Sequence, residues 1–250
     1  LFPGFTVNDD LEDGDDEDDR RVRLNNPNLK PQFSDNYDLS AEYYFRGVGV
    51  VSVGVFRKDI TDFNFERDSI IAAGPDNGFD GLYEGYKLTT RENGGWAKVE
   101  GLELNYEQQL TFLPSFLNGF GVYANATFLR TQGTYDGDVV VNDLQGFTKR
   151  NANGGISYIK HGYTIRASVN YTGQNLRNYN TDPMELEYME ARTTVNLSIK
   201  YSIPRTKMSV FVDVNNLTNA MRPKFQGRKD RQLDTQILGM RLAAGLTGEF

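Results

Sequence analysis

The sequence has no cysteine, a single histidine and a single tryptophan among its 250 residues. Without cysteine there can be no disulfides, thiolate metal sites or cysteine nucleophiles. No stretch approaches the roughly 20 consecutive apolar residues of a membrane-spanning helix, which excludes a helical membrane protein. A spanning β-strand needs only about 9–11 residues and half of them can be polar, so the low hydropathy is compatible with a β-barrel.

A basic surface is also lacking, since the net charge is −7. Nine acidic residues and no basic residue lie between Asp9 and Asp19, and outside this run 27 basic residues face the remaining 25 acidic ones. The acidity therefore belongs to one segment, and the rest of the chain is nearly neutral. This distribution argues against a nucleic-acid-binding domain, which would show a basic face.

No arrangement of residues indicates catalysis. The only histidine, His161, is followed by Gly162 in a predicted two-residue turn, and no serine is placed for activation by it. Glu103 and Glu107 lie on one face of a predicted strand, but a polar barrel interior explains them better than acid–base chemistry does. The chain is therefore predicted not to be an enzyme and to need no cofactor.

The acidic run does not match a calcium-binding EF-hand loop. With Gly14 at the required sixth position, Leu11 falls at the third position and Arg20 at the twelfth, where oxygen ligands are needed. A solvated loop is the preferred interpretation of the run, and no metal site is predicted.

Alternation of apolar and polar residues with period two dominates the chain from about residue 35, as in 163–172 (YTIRASVNYT). One strand candidate changes phase near Glu100 and Gly101, which suggests a bulge. The pattern predicts nine strands, at about 35–46, 50–65, 96–110, 120–135, 148–160, 163–179, 190–203, 208–219 and 236–250.

The connections between these strands form two alternating sets. Four are short, at 46–49, 111–119, 161–162 and 204–207, and four are long and polar, at 66–95, 136–147, 180–189 and 220–235. Short turns at one end and long loops at the other are typical of outer-membrane β-barrels, where the turns are periplasmic. The chain then enters this sheet at the cell surface and leaves it in the periplasm.

The two faces of the predicted strands suit a barrel. Aromatic residues lie near strand ends, as expected of rings at the two membrane interfaces. The predicted interior carries charged residues, which require water or a polar plug: Glu42, Lys58, Glu103, Glu107, Arg166, Lys200, Asp213 and Arg241. A soluble β-sandwich or solenoid would also alternate, but it has no reason to sort its loops by length.

Several stretches resemble the C-terminal barrel of TonB-dependent receptors, most closely the large receptors of Caulobacter- and Xanthomonas-like bacteria. They are 26–31 (NPNLKP), 34–45 (SDNYDLSAEYYF), 54–60 (GVFRKDI), 99–110 (VEGLELNYEQQL), 119–127 (GFGVYANAT) and 213–219 (DVNNLTN). The resemblance covers nearly the whole chain from Asn26. It is carried by the combination, since each stretch alone has little specificity.

The resemblance implies an all-β protein of the cell outer membrane, an antiparallel up-and-down transmembrane β-barrel. About nine strands of a larger 22-stranded barrel are expected here. In this family a plug domain closes the barrel, and the TonB complex supplies energy through the plug. Because the chain opens with Leu1 and shows neither plug nor export signal, it is expected to be a fragment. We divide it into an acidic extracellular loop segment, 1–34, and a barrel segment, 35–250.

The last predicted strand ends in Phe250 with apolar residues at alternate positions before it: Leu242, Ala244 and Leu246. This arrangement resembles the C-terminal signal read by the barrel assembly machinery. The same residues also serve as the lipid-facing side of the strand, and both interpretations can hold. Outer-membrane lipid and the assembly machinery are thus expected partners.

The resemblance further implies uptake of a scarce ligand, a carbohydrate or a ferric siderophore. The loop 66–95 is the best candidate for ligand contact because it carries Phe79, Tyr83 and Tyr86, with Trp96 just past its end. Lumen-facing Arg166 is a further candidate. Ordinary loop packing also explains the aromatic residues. Two other functional classes stay open at this point: an autotransporter-type translocator and a soluble all-β binding module.

Overall fold

A computed structural model describes residues 4–8, 20–135 and 139–248 of the chain. Its strands are, in chain order, β1 (Phe5–Asn8), β2 (Arg21–Leu24), β3 (Phe33–Tyr44), β4 (Gly49–Thr61), β5 (Asn64–Ile70), β6 (Lys87–Asn93), β7 (Trp96–Gln109), β8 (Phe120–Thr134), β9 (Val140–Val141), β10 (Arg150–Lys160), β11 (Tyr163–Thr172), β12 (Asn175–Asn178), β13 (Glu187–Met189), β14 (Arg192–Ser202), β15 (Met208–Asn215), β16 (Arg222–Gln226), β17 (Arg228–Gln236) and β18 (Arg241–Gly248). A 3-10 helix covers Ser115–Gly119. Within the described ranges, no helix has the length and apolar character to cross a membrane.

Nine long strands form the main sheet, in the order β18-β15-β14-β11-β10-β8-β7-β4-β3, and the short β9 pairs with the end of β8. All pairs within this sheet are antiparallel. The nine predicted strands and their up-and-down order are therefore confirmed. The sheet is open, with β3 and β18 at its edges.

Some predicted boundaries are wrong because the chain bends where alternation alone suggests continuation. The strand predicted over 50–65 is interrupted after Thr61, where Asp62 adopts a positive φ of 52°. The strand predicted over 163–179 is divided between β11 and β12, and the one predicted from 236 begins at Arg241. Each bend marks the point at which a strand leaves the main sheet for a smaller one.

The prediction that the long connections are plain loops is also wrong. Strands β5 and β6 lie in 66–95 and its N-terminal flank, β13 lies in 180–189, and β16 and β17 fill most of 220–235. They build two outer sheets, β1-β2-β6-β5 and β12-β13-β16-β17. These strands have only three to nine residues and bury single apolar side chains such as Phe65, Leu176 and Phe225, so their sequences lack a sustained period-two signal.

The bulge predicted at Glu100 and Gly101 does not exist. Strand β7 keeps one continuous register with β4 from Trp96 to Gln108, and with β8 from Ala97 to Gln109. The alternation of apolar and polar residues changes phase there because the polar face of β7 carries two apolar residues near its start, Ala97 and Val99.

One face of the main sheet is apolar across all nine strands. Leu39, Val55, Leu102 and Phe128 are cross-strand neighbours on β3, β4, β7 and β8. A second row runs through Ala167, Leu197, Val214 and Leu242 on β11, β14, β15 and β18. Val169 and Val212 on this face are 47% and 41% exposed. In the described part of the chain no second sheet covers these rows, as lipid-facing strands require.

The opposite face is polar. The register places the predicted interior charges here, with Glu103 opposite Thr127 and Arg166 between Ser157 and Ser198. A row of amides crosses four consecutive strands at Asn105, Asn125, Asn153 and Asn170, and the Asn153 amide donates to Asn125 Oδ1 at 2.9 Å. Such a surface is suited to a wet barrel interior.

Aromatic pairs collect at the short-turn end, as predicted. The rings of Phe120 and Tyr158 are 4.8 Å apart between centroids, and those of Tyr163 and Tyr201 are 4.6 Å apart. Leu242 and Leu246 of the last strand are 67% and 64% exposed on the apolar face. Phe250 and the acidic run lie outside the described residues. The assembly signal and the place of segment 1–34 outside the cell stay predictions.

We expect Gly162→Ala to destabilise the β10–β11 hairpin by about 1 kcal/mol. His161 and Gly162 form a two-residue turn with φ of 53° and 82°, and a Cβ on Gly162 would meet the Ser202 carbonyl oxygen at 3.0 Å. Urea unfolding of the full-length protein in lipid vesicles measures the change. The matched variant His161→Asn should leave stability unchanged, because asparagine tolerates this backbone conformation; equal losses in both variants would contradict the expectation.

Candidate functional site

The two outer sheets extend the barrel strands at the long-loop end of the main sheet. Strands β5 and β6 follow β4 and precede β7, and β12, β13, β16 and β17 extend β11, β14, β15 and β18 in the same way. An isolated parallel bridge between Arg67 and Tyr179 joins β5 to the segment after β12. The start of the loop predicted for ligand contact, 66–95, is therefore tied to the second outer sheet.

A small apolar core supports this arrangement from the polar face of the main sheet. It contains Ile60, Phe63, Phe65, Ala97, Val99, Tyr135 and Leu144, all at most 6% exposed. The segment after β9 folds over β8, where Thr131 Oγ1 donates to the Asn142 carbonyl at 3.0 Å. Ala97 and Val99 are apolar on this otherwise polar face because they pack here, which explains the false bulge.

Tyr135 connects this core to the second outer sheet. Its ring stacks on that of Tyr179 at 3.9 Å between centroids, and it makes a T-shaped contact with the ring of Phe65 at 4.7 Å between centroids. The backbone N–H of Gln145 donates to the Tyr135 hydroxyl. Burial raises the pKa of the Tyr135 phenol well above its ordinary value, so this phenol stays neutral.

A cleft of about 800 Å³ lies between the two outer sheets. We call it the outer cleft. Its lining is mainly polar, with three basic and four acidic residues: Arg21, Lys87, Lys224, Asp68, Glu185, Glu187 and Asp234. Amide side chains and one aromatic ring complete it: Asn178, Asn180, Gln226, Gln232 and Tyr179.

Lys87 is the centre of a charged network in the outer cleft. Its Nζ lies 3.1 Å from Asp68 Oδ2 on β5 and 3.2 Å from Glu187 Oε1 on β13. Glu187 also accepts a 2.6 Å hydrogen bond from Asn178 Nδ2 and lies 3.7 Å from Lys224 Nζ. Among the ion pairs of the described residues, Lys87–Glu187 is the one that crosses between the two outer sheets. It therefore helps to set the width of the cleft.

The charges of this network support each other. Burial lowers the pKa of the Lys87 ammonium, but the carboxylates of Asp68 and Glu187 raise it by more, so the pKa lies above its ordinary value. Thr89 Oγ1 donates to Asp68 Oδ1 at 2.6 Å, which gives that carboxylate a second partner. The four charges of Asp68, Lys87, Glu187 and Lys224 balance to zero.

The structure brings three of the five predicted ligand-contact residues together. The Phe79 and Tyr83 rings are 5.8 Å apart and the Tyr83 and Tyr86 rings 5.5 Å apart, and Arg20 lies 5.7 Å over the Tyr86 ring. Asn77 holds this loop by donating to the carbonyls of Ala72 and Leu82 at 3.1 and 2.9 Å. This aromatic cluster follows β5, one of the strands that border the outer cleft.

The other two predicted residues do not join that cluster. Trp96 begins β7 on the same side as Leu102 and Leu104, the apolar face, and is 39% exposed. Arg166 lies in the middle of β11 on the polar face, opposite Ser157 and Ser198. A ligand role for any of the five residues stays a prediction.

Sequence reasoning missed Asp68, Lys87 and Glu187, which form the network. They come from three separate strands, and the polar segments around them carry no strand pattern. No local pattern marks such a group: the pairing of β5 with β6 brings Asp68 close to Lys87, and Glu187 meets Lys87 from the other outer sheet. Over the described ranges, no group of histidine and carboxylate side chains is arranged to hold a metal ion.

An open antiparallel sheet with one lipid-facing side, one polar side, short turns at one end and extended hairpins at the other defines an outer-membrane β-barrel. A family model described as "TonB dependent receptor-like, beta-barrel" matches residues 3–217. The chain belongs to this family, whose members lie in the outer membrane. This settles the choice against the autotransporter and soluble-module alternatives.

Solved structures of this family share the fold. A ferric enterobactin receptor (PfeA) of Pseudomonas aeruginosa is 18% identical with a TM-score of 0.58, over 92% of this chain and 33% of its own. The siderophore receptor PirA of Acinetobacter baumannii is 16% identical with a TM-score of 0.61, over 92% and 34%. The copper transporter OprC is 13% identical with a TM-score of 0.60, and the match covers 88% of this chain and 31% of OprC. No match was found among curated proteins.

The chain spans about a third of the length of these solved structures. At such low identity the likeness shows the fold alone. The ligands named for the neighbours, a ferric siderophore for one and copper for another, also differ from one another. The ligand of this protein has to be argued from its own residues.

Proposed function

We propose that this chain forms part of the wall and of the ligand-binding surface of a TonB-dependent uptake receptor. The receptor would bind a scarce carbohydrate or ferric siderophore at the cell surface and pass it inward without covalent chemistry. Energy would come from the TonB complex through a plug domain. The outer cleft carries this proposal, because it is a polar cavity at the surface end of a barrel of this family.

The outer cleft favours a ligand with many hydrogen-bonding groups. Four amide side chains and seven charged ones line it, and the central charges are already paired. A highly charged anion would have to compete with Asp68 and Glu187 for Lys87. Of the two ligand classes, the carbohydrate agrees better with such a lining.

Uptake by cells that produce the full-length protein tests this function. Labelled neutral oligosaccharides and ferric siderophores are offered as a panel, with and without TonB. We expect uptake of at least one member to require both the protein and TonB, and to fall at least about tenfold in Glu187→Gln. Arg91→Gln is the matched control, because Arg91 is 67% exposed and pairs with Glu66 outside the cleft.

Two results would overturn the proposal. One is uptake that does not depend on TonB. The other is uptake that is equal in Glu187→Gln and in the unaltered protein, which would place the ligand elsewhere.

A further inference from the structure

Three arginines gather where the second outer sheet joins the barrel. Arg177 lies on β12, Arg192 is the first residue of β14, and Arg222 is the first residue of β16. Arg222 Nε donates to the carbonyl of Glu190, two residues before Arg192, at 3.1 Å. None of the three belongs to the lining of the outer cleft.

One guanidinium nitrogen each of Arg192 and Arg222 lacks an acceptor. Arg192 Nη1 and Arg222 Nη2 are buried without a hydrogen-bond partner. No carboxylate of the described residues makes an ion pair with any of the three arginines. A buried donor without an acceptor costs about 1–3 kcal/mol, and more when it is charged. An acceptor supplied at this place would therefore lower the free energy of the folded protein.

The positive charges also disturb one another. Burial lowers the pKa of the Arg222 guanidinium, and the nearby charges of Arg192 and Arg177 lower it further. A protein that gathers like charges without a counter-charge has the electrostatic form of an anion site. Arginine is suited to this role because its planar fork binds a carboxylate through two parallel hydrogen bonds.

Two orphaned acceptors belong to the same region. Asn175 Oδ1 and Gln145 Oε1 are buried without a donor. Asn175 is on the same short strand as Arg177, and Gln145 Nε2 donates to the Arg177 carbonyl at 2.6 Å. All four unpartnered buried side-chain atoms of the described residues thus lie in segments around these arginines. The guanidinium donors would bind an anion, and the two amide oxygens would accept hydrogen bonds from hydroxyl groups.

We propose that Arg177, Arg192 and Arg222, together with Asn175 and Gln145, form a binding site for a hydroxylated carboxylate. The guanidinium groups hold the carboxylate, and the two amide oxygens accept hydrogen bonds from hydroxyl groups of the same molecule. The site adds detail to the proposed function. Its existence is argued from the residues themselves, and only its role in uptake rests on that function. It assigns to the transported ligand, or to one end of it, an acidic and hydroxylated group.

Binding of three probes of similar ring size to the purified full-length protein tests this site. Glucuronate has the carboxylate and the hydroxyl groups, glucose has only hydroxyl groups, and cyclohexanecarboxylate has only the carboxylate. We expect saturable binding of glucuronate by calorimetry. Glucose and cyclohexanecarboxylate should bind at least about tenfold more weakly, because each lacks one half of the contacts.

The variants Arg192→Gln and Arg222→Gln should weaken glucuronate binding at least about tenfold. Arg228→Gln is the matched control, because Arg228 is exposed and pairs with Asp230 on β17. Thermal unfolding separates a site from a structural role. Without glucuronate, Arg222→Gln should unfold at the same temperature as the unaltered protein or higher, since an unpaired buried charge is removed.

Absence of saturable glucuronate binding overturns the inference, as does equal binding in Arg192→Gln. If a carboxylate of the protein itself occupies the site, glucuronate will not bind, and this result also overturns the inference. Failure here is distinct from failure of the proposed function, which is judged by TonB-dependent uptake and by Glu187→Gln.

Discussion

Lys87→Met should destabilise the two outer sheets by about 3 kcal/mol, the lower end of the range for a broken buried ion pair. The substitution removes the cation shared by Asp68 and Glu187 and leaves two carboxylates with reduced compensation. The side chains of Lys87, Asp68 and Glu187 are 21%, 14% and 10% exposed, so water can relieve only part of the loss. Hydrogen exchange of the full-length protein should show faster exchange in β6 and β13, and the barrel strands should be unaffected.

Two further variants show whether the effect comes from charge. Lys87→Met combined with Glu187→Gln should be more stable than Lys87→Met alone, because it removes one uncompensated carboxylate. Arg91→Met on the same strand should change stability by less than about 0.5 kcal/mol, since Arg91 is exposed. If Arg91→Met opens β6 as much as Lys87→Met does, the network has no special role.

The pH dependence of the outer sheets follows from the raised pKa of Lys87. The stabilisation is fully present below about pH 10.5, the ordinary pKa of lysine, and is lost as the pH rises through the higher pKa of the folded state. Exchange in β6 and β13 should therefore not change through deprotonation of Lys87 between pH 7 and pH 9.

Val169→Arg should destabilise the membrane-embedded barrel by about 2 kcal/mol. Val169 lies on the apolar face between Gly154 and Val195, so the new charge would enter lipid. Urea unfolding of the full-length protein in lipid vesicles measures the loss, and resistance to dodecyl sulfate without heating reports how much barrel assembles.

Asn170→Arg is the matched control, one residue further along β11 and on the polar face. Its cross-strand neighbours are Asn153 and Thr194, which carry no charge. We expect a change within about 0.5 kcal/mol. Equal destabilisation by both substitutions would mean that the two faces do not meet different solvents, and the assignment of the lipid face would fail.

The barrel strands were predictable because their signal is local. In a strand with one face in lipid and the other in a polar interior, every second residue has to be apolar, and the run around Val169 and Leu197 shows this directly. The turn lengths predicted the topology as well, because a two-residue connection such as His161–Gly162 allows only an antiparallel hairpin. Both features can be recognised within a dozen residues.

The outer cleft was not predictable for the opposite reason. Strand β13 has three residues and β2 pairs with β6 in parallel across a long stretch of chain, so neither has a local pattern. The Lys87–Glu187 pair joins β6 to β13 over a sequence separation of 100 residues. Phe79, Tyr83 and Tyr86 lie within eight residues of one loop, and their rings meet; Trp96 is near them only along the chain, because it belongs to the apolar face of β7.

The two edge strands of the main sheet, β3 and β18, restrict how the barrel can be closed. Strands β3 and β18 both run from the long-connection end to the short-turn end of the sheet, because seven strands alternate between them. A twin molecule of the same orientation would set β18 beside its neighbour's β3 with the two chains pointing the same way. Closure by antiparallel ladders alone therefore needs an odd number of additional strands, and a twin of the same orientation does not supply it, because it would pair β18 with β3 in parallel.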